Sequence, residues 1–353
     1  MKALVLAGGE GSRLRPITHT NAKQLIPIAN KPILFYGLEA IRDAGIREVG
    51  IVVGATADEI TGEVGDGSAW GLRATYLRQD SPRGLAHAVL ISREFLGDEP
   101  FVMYLGDNVL LEGVAGFVEQ FEAHRPNAQI FLAAVPEPER FGVAVLEGDR
   151  VVRLVEKPKE YISDLALVGV YLFDPSIHQA VASIEPSSRG ELEITDAIQN
   201  LIDAGRAVRA EIVGGWWKDT GKLEDLLEAN QMMLSVLEPR VDGEVDEDST
   251  LVGPVTIEPG AKVVRSVIRG PSIIGSDTVI EDSLVGPYAS VYFGCEITGS
   301  QIENSIVMER CRVDGIEAIA ESLVGKNVEI RRGGVRPAMY RLMLGDQSQV
   351  EVS

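Results

Sequence analysis

Two hydrophobic rhythms divide the chain. Over roughly the first 230 residues, short β-rich apolar runs alternate with stretches patterned at helical spacing. Lys2–Ala7 is an apolar run that ends in glycines. Pro32 opens a helix through Phe35, Leu38 and Ile41 that stops at Gly45. Glu48–Val53 reads as a buried strand, Leu85–Phe95 as a helix, and Phe101–Leu105 as a strand ending at Gly106-Asp107. Gln129–Val135, Val151–Glu156 and Leu167–Phe173 are further strands; Leu192–Ala204 and Leu223–Leu237 are helical. This alternation predicts an α/β layered domain on a mixed, mostly parallel sheet. Ligands of such sheets sit beyond the carboxyl ends of the strands, so the polar residues just after strands carry the interest.

Past Leu237 the rhythm changes. Glu238, Asp242, Glu244, Asp246, Glu247 and Asp248 form an acidic connector with Pro239 and Gly243. Beyond it the aliphatic period is six: Leu251, Ile257, Val263; then Val267, Ile273, Val279, Val285, Val291, Ile297; then Val307, Val313, Ile319. One inward aliphatic per short strand at this period is the signature of a parallel β-helix. Gly253-Pro254, Pro259-Gly260, Gly270-Pro271, Gly275 and Gly286-Pro287 turn its corners, and the phase slips near Arg265 and Gln301 predict loops. From Arg331 onward the repeat fades, leaving only the apolar Met339–Leu344. The organisation predicted is an α/β domain over 1–237, an acidic linker over 238–248, a β-helix over 249–332 and a tail over 333–353.

Composition removes several function classes. A net charge of −20 argues against a general nucleic-acid or anionic-membrane binder, which needs surplus Lys and Arg. Cys295 and Cys311 are too few for a disulfide framework and read as small core residues. The apolar start is too short for a signal-peptide core, and no run approaches a bilayer span, so a cytoplasmic protein is expected.

The strongest chemical signal follows the first strand: Leu6-Ala7-Gly8-Gly9-Glu10-Gly11-Ser12-Arg13-Leu14. Glycines there let backbone amides approach phosphate oxygens. No Gly-Lys-Ser/Thr follows, so it is no P-loop, and the third glycine of the dinucleotide pattern is absent. Residues 1–31 hold Lys2, Arg13, Arg15, Lys23 and Lys31 against Glu10 alone. In an acidic chain, that local excess asks for an anion.

This loop and Lys23-Gln24-Leu25-Ile26-Pro27 resemble the sugar-1-phosphate nucleotidyltransferases, most of all their thymidylyltransferase branch. Six later segments agree, in order: Gln79-Asp80-Ser81-Pro82-Arg83-Gly84-Leu85-Ala86, Leu105-Gly106-Asp107-Asn108, Arg140-Phe141-Gly142-Val143, Glu156-Lys157-Pro158, Arg189-Gly190-Glu191-Leu192-Glu193-Ile194-Thr195-Asp196 and Trp217-Lys218-Asp219-Thr220-Gly221. The resemblance spans about residues 1–230. It implies a Rossmann-like nucleotidyltransferase domain; the six-residue repeat behind it resembles the left-handed β-helix of longer members.

The implied reaction joins dTTP and glucose 1-phosphate into a nucleotide sugar with loss of pyrophosphate. Both reactants are polyanions, so positioning and charge neutralisation are the protein's task. By the resemblance, Arg13, Lys23 and Lys157 are catalytic. Leu6, Ala7, Gly8, Gly9, Gly11, Ser12, Gln24, Gln79, Pro82, Gly84 and Asp107 bind the nucleotide. Gly142, Glu156, Leu167 and Trp217 bind the sugar, and Asp107 and Asp219 hold Mg²⁺, whose hard charge suits carboxylates. A Gln side chain at position 79 offers one acceptor and one donor, matching N3–H and O4 of thymine or uracil. His87 reads as a packed or solvated histidine. Phe141 stands where short members often have Tyr, and Leu167 where Val is common, which keeps related hexoses open. The alternatives are a uridylyltransferase, a bifunctional acetyltransferase and a non-catalytic subunit. The second is disfavoured because no His lies in the repeat; the third would have eroded Arg13, Lys23, Asp107, Lys157 and Asp219, all present. Exposed β-helix edges predict a homo-oligomer.

Overall fold

The central element of the first half is the strand Lys2–Leu6, β1, fully buried at Ala3, Leu4 and Val5. The computed structural model describes residues 1–9, 11–19, 21–148 and 150–332. Glu10 of the glycine loop and the 333–353 tail, with Met339–Leu344, lie outside the described residues.

The chain forms two compact units. The first comprises Met1–Glu10, Ala22–Gln24 and Ile33–Asp219; the second comprises Gly11–Asn21, Leu25–Pro32 and the chain from Thr220 onward. In the first unit the other strands are β2 (Glu48–Val53), β3 (Arg73–Arg78), β4 (Phe101–Leu105), β5 (Asn108–Leu110), β6 (Ala128–Ala134), β7 (Gly142–Glu147), β8 (Arg150–Glu156), β9 (Leu165–Phe173), β10 (Val208–Ile212) and β11 (Trp217–Asp219). Nine of them make one sheet in the order β3-β2-β1-β4-β9-β6-β10-β8-β7, while β5 and β11 pair as a separate ribbon.

The β3-β2-β1-β4 half is parallel, as the strand and helix alternation predicts. The other half corrects the expectation of a mostly parallel sheet. β9 runs antiparallel to both β4 and β6, and β8 antiparallel to β7 and β10; only β10 and β6 are parallel. The reason is the connection. Between β6 and β9 the chain makes a β7-β8 hairpin and a short 3-10 turn, not the helical crossover that a parallel return needs. A register shift between Leu167 and Tyr171 bulges β9 where Gly169 takes a φ of 81°. A Cβ there would stand 3.0 Å from the Asn108 side chain, so this position needs glycine twice over.

One helix shows how the core is covered. Ile194–Asp203 turns Ile194, Ala197, Ile198 and Leu201 onto Ala144, Val151 and Leu154. That spacing is the apolar stripe of a surface helix. The expected helix Leu85–Phe95 is broken into Leu85–Ile91 and Arg93–Leu96. Between them Ser92 donates its hydroxyl to the Ala88 carbonyl at 2.6 Å, a back-bond that competes with helix continuation.

The second unit is built on three parallel sheets of short strands, as a left-handed β-helix requires. Over most of its length its coil is 17 residues rather than 18. Val255 pairs with Ser272, Lys262 with Val279 and Val267 with Leu284, each 17 apart. The interior is therefore filled by Ile257, Val263, Ile268, Ile274, Ile280, Val285, Val291 and Ile297. Val267, Ile273 and Val279, picked out by a strict six-residue step, each sit one place before an inward residue. The doublets Val267-Ile268, Ile273-Ile274 and Val279-Ile280 let the wrong member pass as the repeat. Ile273 is instead buried on another cluster, with Ala29 and Leu234. Arg265 does fall at a corner, with a φ of 45°, whereas Gln301 begins the strand Gln301–Glu303. Cys295 and Cys311 are buried in the interior, as expected.

Segment 238–248 differs from a simple connector. Arg240–Val241 pairs with Thr256-Ile257, and Glu244–Val245 with Lys262-Val263, so it winds the first rung, with Asp246 accepting from the Arg265 amide. The helix Leu223–Ser235 also belongs to this unit rather than to the preceding domain. Its fully buried Asn230 accepts from the Ala29 amide at 2.8 Å and from the Ser290 hydroxyl at 2.6 Å, and donates to the Tyr288 carbonyl. A buried amide satisfied on three sides fixes the helix to the coil. Among the described residues no helix is long and apolar enough to cross a membrane.

Candidate active site

The carboxyl end of β1 is flanked by two loops. The Ala7 amide donates to Val52, and the Gly106 amide to Leu6, each within 2.9 Å. Gly8 lies against Gly54, where an added Cβ on Gly54 would come within 2.7 Å of the Gly8 carbonyl. Leu6, Ala7, Gly8 and Gly9 thus emerge between the loop after β2 and the loop after β4, the position predicted for a ligand of a parallel sheet.

Three of the charged residues expected at the site come together here. Lys23 lies 2.6 Å from Asp107, with the lysine side chain 8% and the aspartate 25% exposed. Burial pushes the Asp107 carboxyl up, but the Lys23 ammonium outweighs it and holds the group below its ordinary range. Asp219 ends β11 directly opposite Asn108 of β5. Facing residues of antiparallel strands lie about 5 Å apart, so Asp107 and Asp219 are neighbours across one ribbon. Two carboxylates with hard oxygens suit Mg²⁺, which keeps its waters and takes few protein ligands. Gln24 is 2% exposed, lies beside Gly9 and leaves its Oε1 without a partner among the described residues.

A second pocket adjoins through aromatic rings. Trp217 Nε1 donates to Asn108 Oδ1 at 2.6 Å, and its ring meets Phe141 edge-on at 5.7 Å. Next to Phe141, Gly142 is so enclosed that a Cβ would fall 2.7 Å from Thr195, 2.9 Å from Glu156 and 2.9 Å from Leu167. Gly142, Glu156, Leu167 and Trp217 are therefore brought together as expected. Lys157 follows Glu156 at a φ of 42°, its amide held by the Phe141 carbonyl and its ammonium 3.7 Å from Glu156. Thr195 and Arg189 also reach Glu156, at 3.4 and 3.5 Å, and Arg189 forks onto the buried Glu193. Asn108, Arg189, Glu193 and Thr195 stand in the quoted motifs but were assigned no role. The signal that could have found them is their type, amide, guanidinium, carboxylate and hydroxyl beside expected site residues.

Burial pushes the Glu156 carboxyl above its ordinary 4.5, with Lys157 opposing and Glu193 adding to it. A folded-state value above the unfolded one means stability is whole below pH 4.5 and is lost as pH rises through the folded value. Glu156→Gln should accordingly melt above wild type at about pH 8 and match it at about pH 4. The same variant should weaken a hydroxyl-bearing ligand of this pocket about tenfold, because a charged acceptor is replaced by a neutral one. Thermal melts across pH check the first expectation; identical pH profiles for both proteins would remove Glu156 as the source.

The base side departs from the expectation. Gln79 Nε2 lies 3.3 Å from the Gly84 carbonyl and 2.9 Å from His87 Nδ1. Both amide hydrogens are spent, so only Oε1 remains to meet a base. His87 is engaged with the very residue expected to read it. Gly84 takes a φ of 95° with Leu192 packed against it, while Pro82 is exposed beside it.

The remaining cations are distributed. Lys2 sits at the opposite end of β1, bonded to Phe95 and paired with Glu99, so it adds nothing to the anion site counted from the first 31 residues. Gly11, Ser12 and Arg13 belong to the second unit. There Gly11 takes a φ of 62° and leads into the turn Ser12–Leu14, with Leu14 buried and Arg13 exposed.

A profile of the nucleotidyl transferase family matches residues 2–236. The chain is 56% identical to a glucose-1-phosphate thymidylyltransferase of Streptomyces griseus, with all of both chains covered. It is 45% identical to the low-salt glycan biosynthesis nucleotidyltransferase Agl11 of Haloferax volcanii, again with all of both covered. A solved Bacillus anthracis structure, assigned as a glucose-1-phosphate thymidylyltransferase and holding sucrose, superposes with a TM-score of 0.64 at 33% identity. It covers 68% of this chain and 98% of its own. A UDP-glucose pyrophosphorylase solved with UDP-glucose gives 0.60 at 26%, covering 66% and 98%. The glycine loop on β1, the paired Lys23 and Asp107, and the end-to-end match lead to one conclusion: the chain belongs to the nucleotidyl transferase family.

Proposed function

We propose that this enzyme transfers the thymidylyl group of dTTP to glucose 1-phosphate, releasing pyrophosphate and forming dTDP-glucose. What carries the substrate choice is the full-length likeness to proteins of that activity. The enclosed pocket at Gly142 beside a neutralised phosphate site supports it.

A phosphate oxygen of glucose 1-phosphate attacks the α-phosphorus of dTTP; the bond to the β,γ-diphosphate breaks and pyrophosphate leaves. That oxygen is already ionised, so no general base is required. Lys23 neutralises charge at the α-phosphate. Lys157, beside the sugar pocket, holds the sugar phosphate and aims its oxygen. Glu156 accepts from sugar hydroxyls, and Gly8 and Gly9 let the backbone approach the phosphates. Asp107 and Asp219 would hold Mg²⁺, which supplies positive charge shared among the phosphate oxygens when bound.

Uridylyl transfer is the second reading, because an acceptor at Gln79 meets uracil as well as thymine. The extra methyl of thymine is worth about 1–3 kcal/mol, so the preference for dTTP is partial. The protein is taken to work in the cytoplasm and as a homo-oligomer. Val241 and Val252, each about half exposed on the first rung of the β-helix, favour such contacts. Purified protein given Mg²⁺, glucose 1-phosphate and each nucleoside triphosphate should release pyrophosphate fastest with dTTP. Absence of pyrophosphate with every nucleotide and hexose phosphate would end the proposal; faster release with UTP would replace it by the second reading.

A further inference from the structure

We propose that His87 is a positioning residue for the base: its Nδ1 holds the Gln79 amide so that Oε1, alone, accepts the N3–H of the pyrimidine. The inference rests on the nucleotidyl-transfer reading and names what sets base choice within it.

The argument starts from the Gly84 carbonyl. A carbonyl only accepts, so the atom 3.3 Å from it must be the amide NH₂ of Gln79. The second hydrogen of that NH₂ points at His87 Nδ1, 2.9 Å away. Nδ1 must then be an unprotonated acceptor, which puts the ring proton on Nε2. Oε1 is left on the side of Gly8, where a Cβ would stand 3.7 Å from it. The result is a site with one fixed polarity. It attracts a base carrying hydrogen on its N3 and repels cytosine, whose N3 is an acceptor.

The ring's surroundings agree with that state. Burial holds His87 below its ordinary 6.5, and Arg83 adds to this while Asp80 opposes it. A protonated His87 would turn a second donor toward the Gln79 NH₂, and the amide would lose its anchor. Base discrimination is therefore tied to the neutral ring.

Calorimetric titration of the full-length protein with dTTP and with dCTP tests this, alongside the pyrophosphate assay. His87→Leu should weaken dTTP about tenfold and shrink the dTTP over dCTP ratio by a similar factor. kcat should change little, because the residue does not touch the phosphates. His87→Asn places Oδ1 where Nδ1 was: it should keep tight dTTP binding at pH 7.5 and abolish the weakening expected of wild type as the ring protonates in acid. Unchanged affinities in His87→Leu overturn the role, as does acid weakening that persists in His87→Asn or a wild type that binds both nucleotides equally. A wild type that prefers dTTP but releases no pyrophosphate leaves this inference standing and removes the transfer reading instead.

Discussion

Replacing Asp107 by Asn should lower kcat/KM about a thousandfold if, as proposed, its carboxylate holds the cation that neutralises the phosphates. The structure adds a complication. Lys23 is nearly buried and only 2.6 Å from Asp107, so the variant takes a full negative charge from beside a cation. A cost of about 2 kcal/mol in stability is expected, below the 3–5 of a fully buried pair because the aspartate is partly wet. A double variant, Lys23→Met with Asp107→Asn, removes the cation as well. It should recover most of the stability and none of the activity. Denaturant melts and steady-state rates on the three proteins decide the matter. Recovery of both properties in the double variant would reduce Asp107 to an ion-pair partner and end its assignment to the phosphates.

Gly142→Ala is the second large effect. The added methyl meets the ends of Thr195, Glu156 and Leu167 at under 3 Å. All three are side-chain atoms, so the fold can give way, but what gives way is the wall of the proposed sugar pocket. KM for glucose 1-phosphate should rise about a hundredfold, KM for dTTP should stay near wild type, and the melt should shift by a few degrees at most. Initial rates with each substrate varied in turn separate these. Equal weakening of both substrates would mean that Gly142 supports the whole sheet rather than one pocket.

The site was legible where chemistry sits next to a strand end. The glycines after β1 and the cations around them announce themselves by residue type and place. Asp107, Glu156 and Asp219 were reached through resemblance to a family, since a lone acidic residue at a strand end or in a Gly-Asp-Asn turn reads first as structure. His87 illustrates what a one-dimensional reading misses. Its partner lies eight residues away across a loop and a helix start, and the bond between them depends on Gly84 turning its carbonyl inward. The sheet teaches the same lesson. Local patterning located β9 within two residues but said nothing of its direction, which is set by a hairpin insertion in place of a helix. In the β-helix, aliphatic doublets obscured the coil length, because Val and Ile satisfy the pattern on either face.

That 17-residue winding acts as a ruler on how the chain can change length. Every rung below fixes which side chain of the next one faces the interior, so one lost residue inside a strand would turn all later aliphatics outward. One deletion has already been absorbed: Ser290 pairs with Ile306 and Glu296 with Arg312, a step of 16. It falls at a corner, where Asn304 takes a φ of 40° in a tighter bend than that formed by Gly286, Pro287 and Tyr288 one coil earlier. Natural gaps and engineered insertions in this half should therefore cluster at corners or come as whole coils. Grafting or trimming complete windings is then the practical way to resize it.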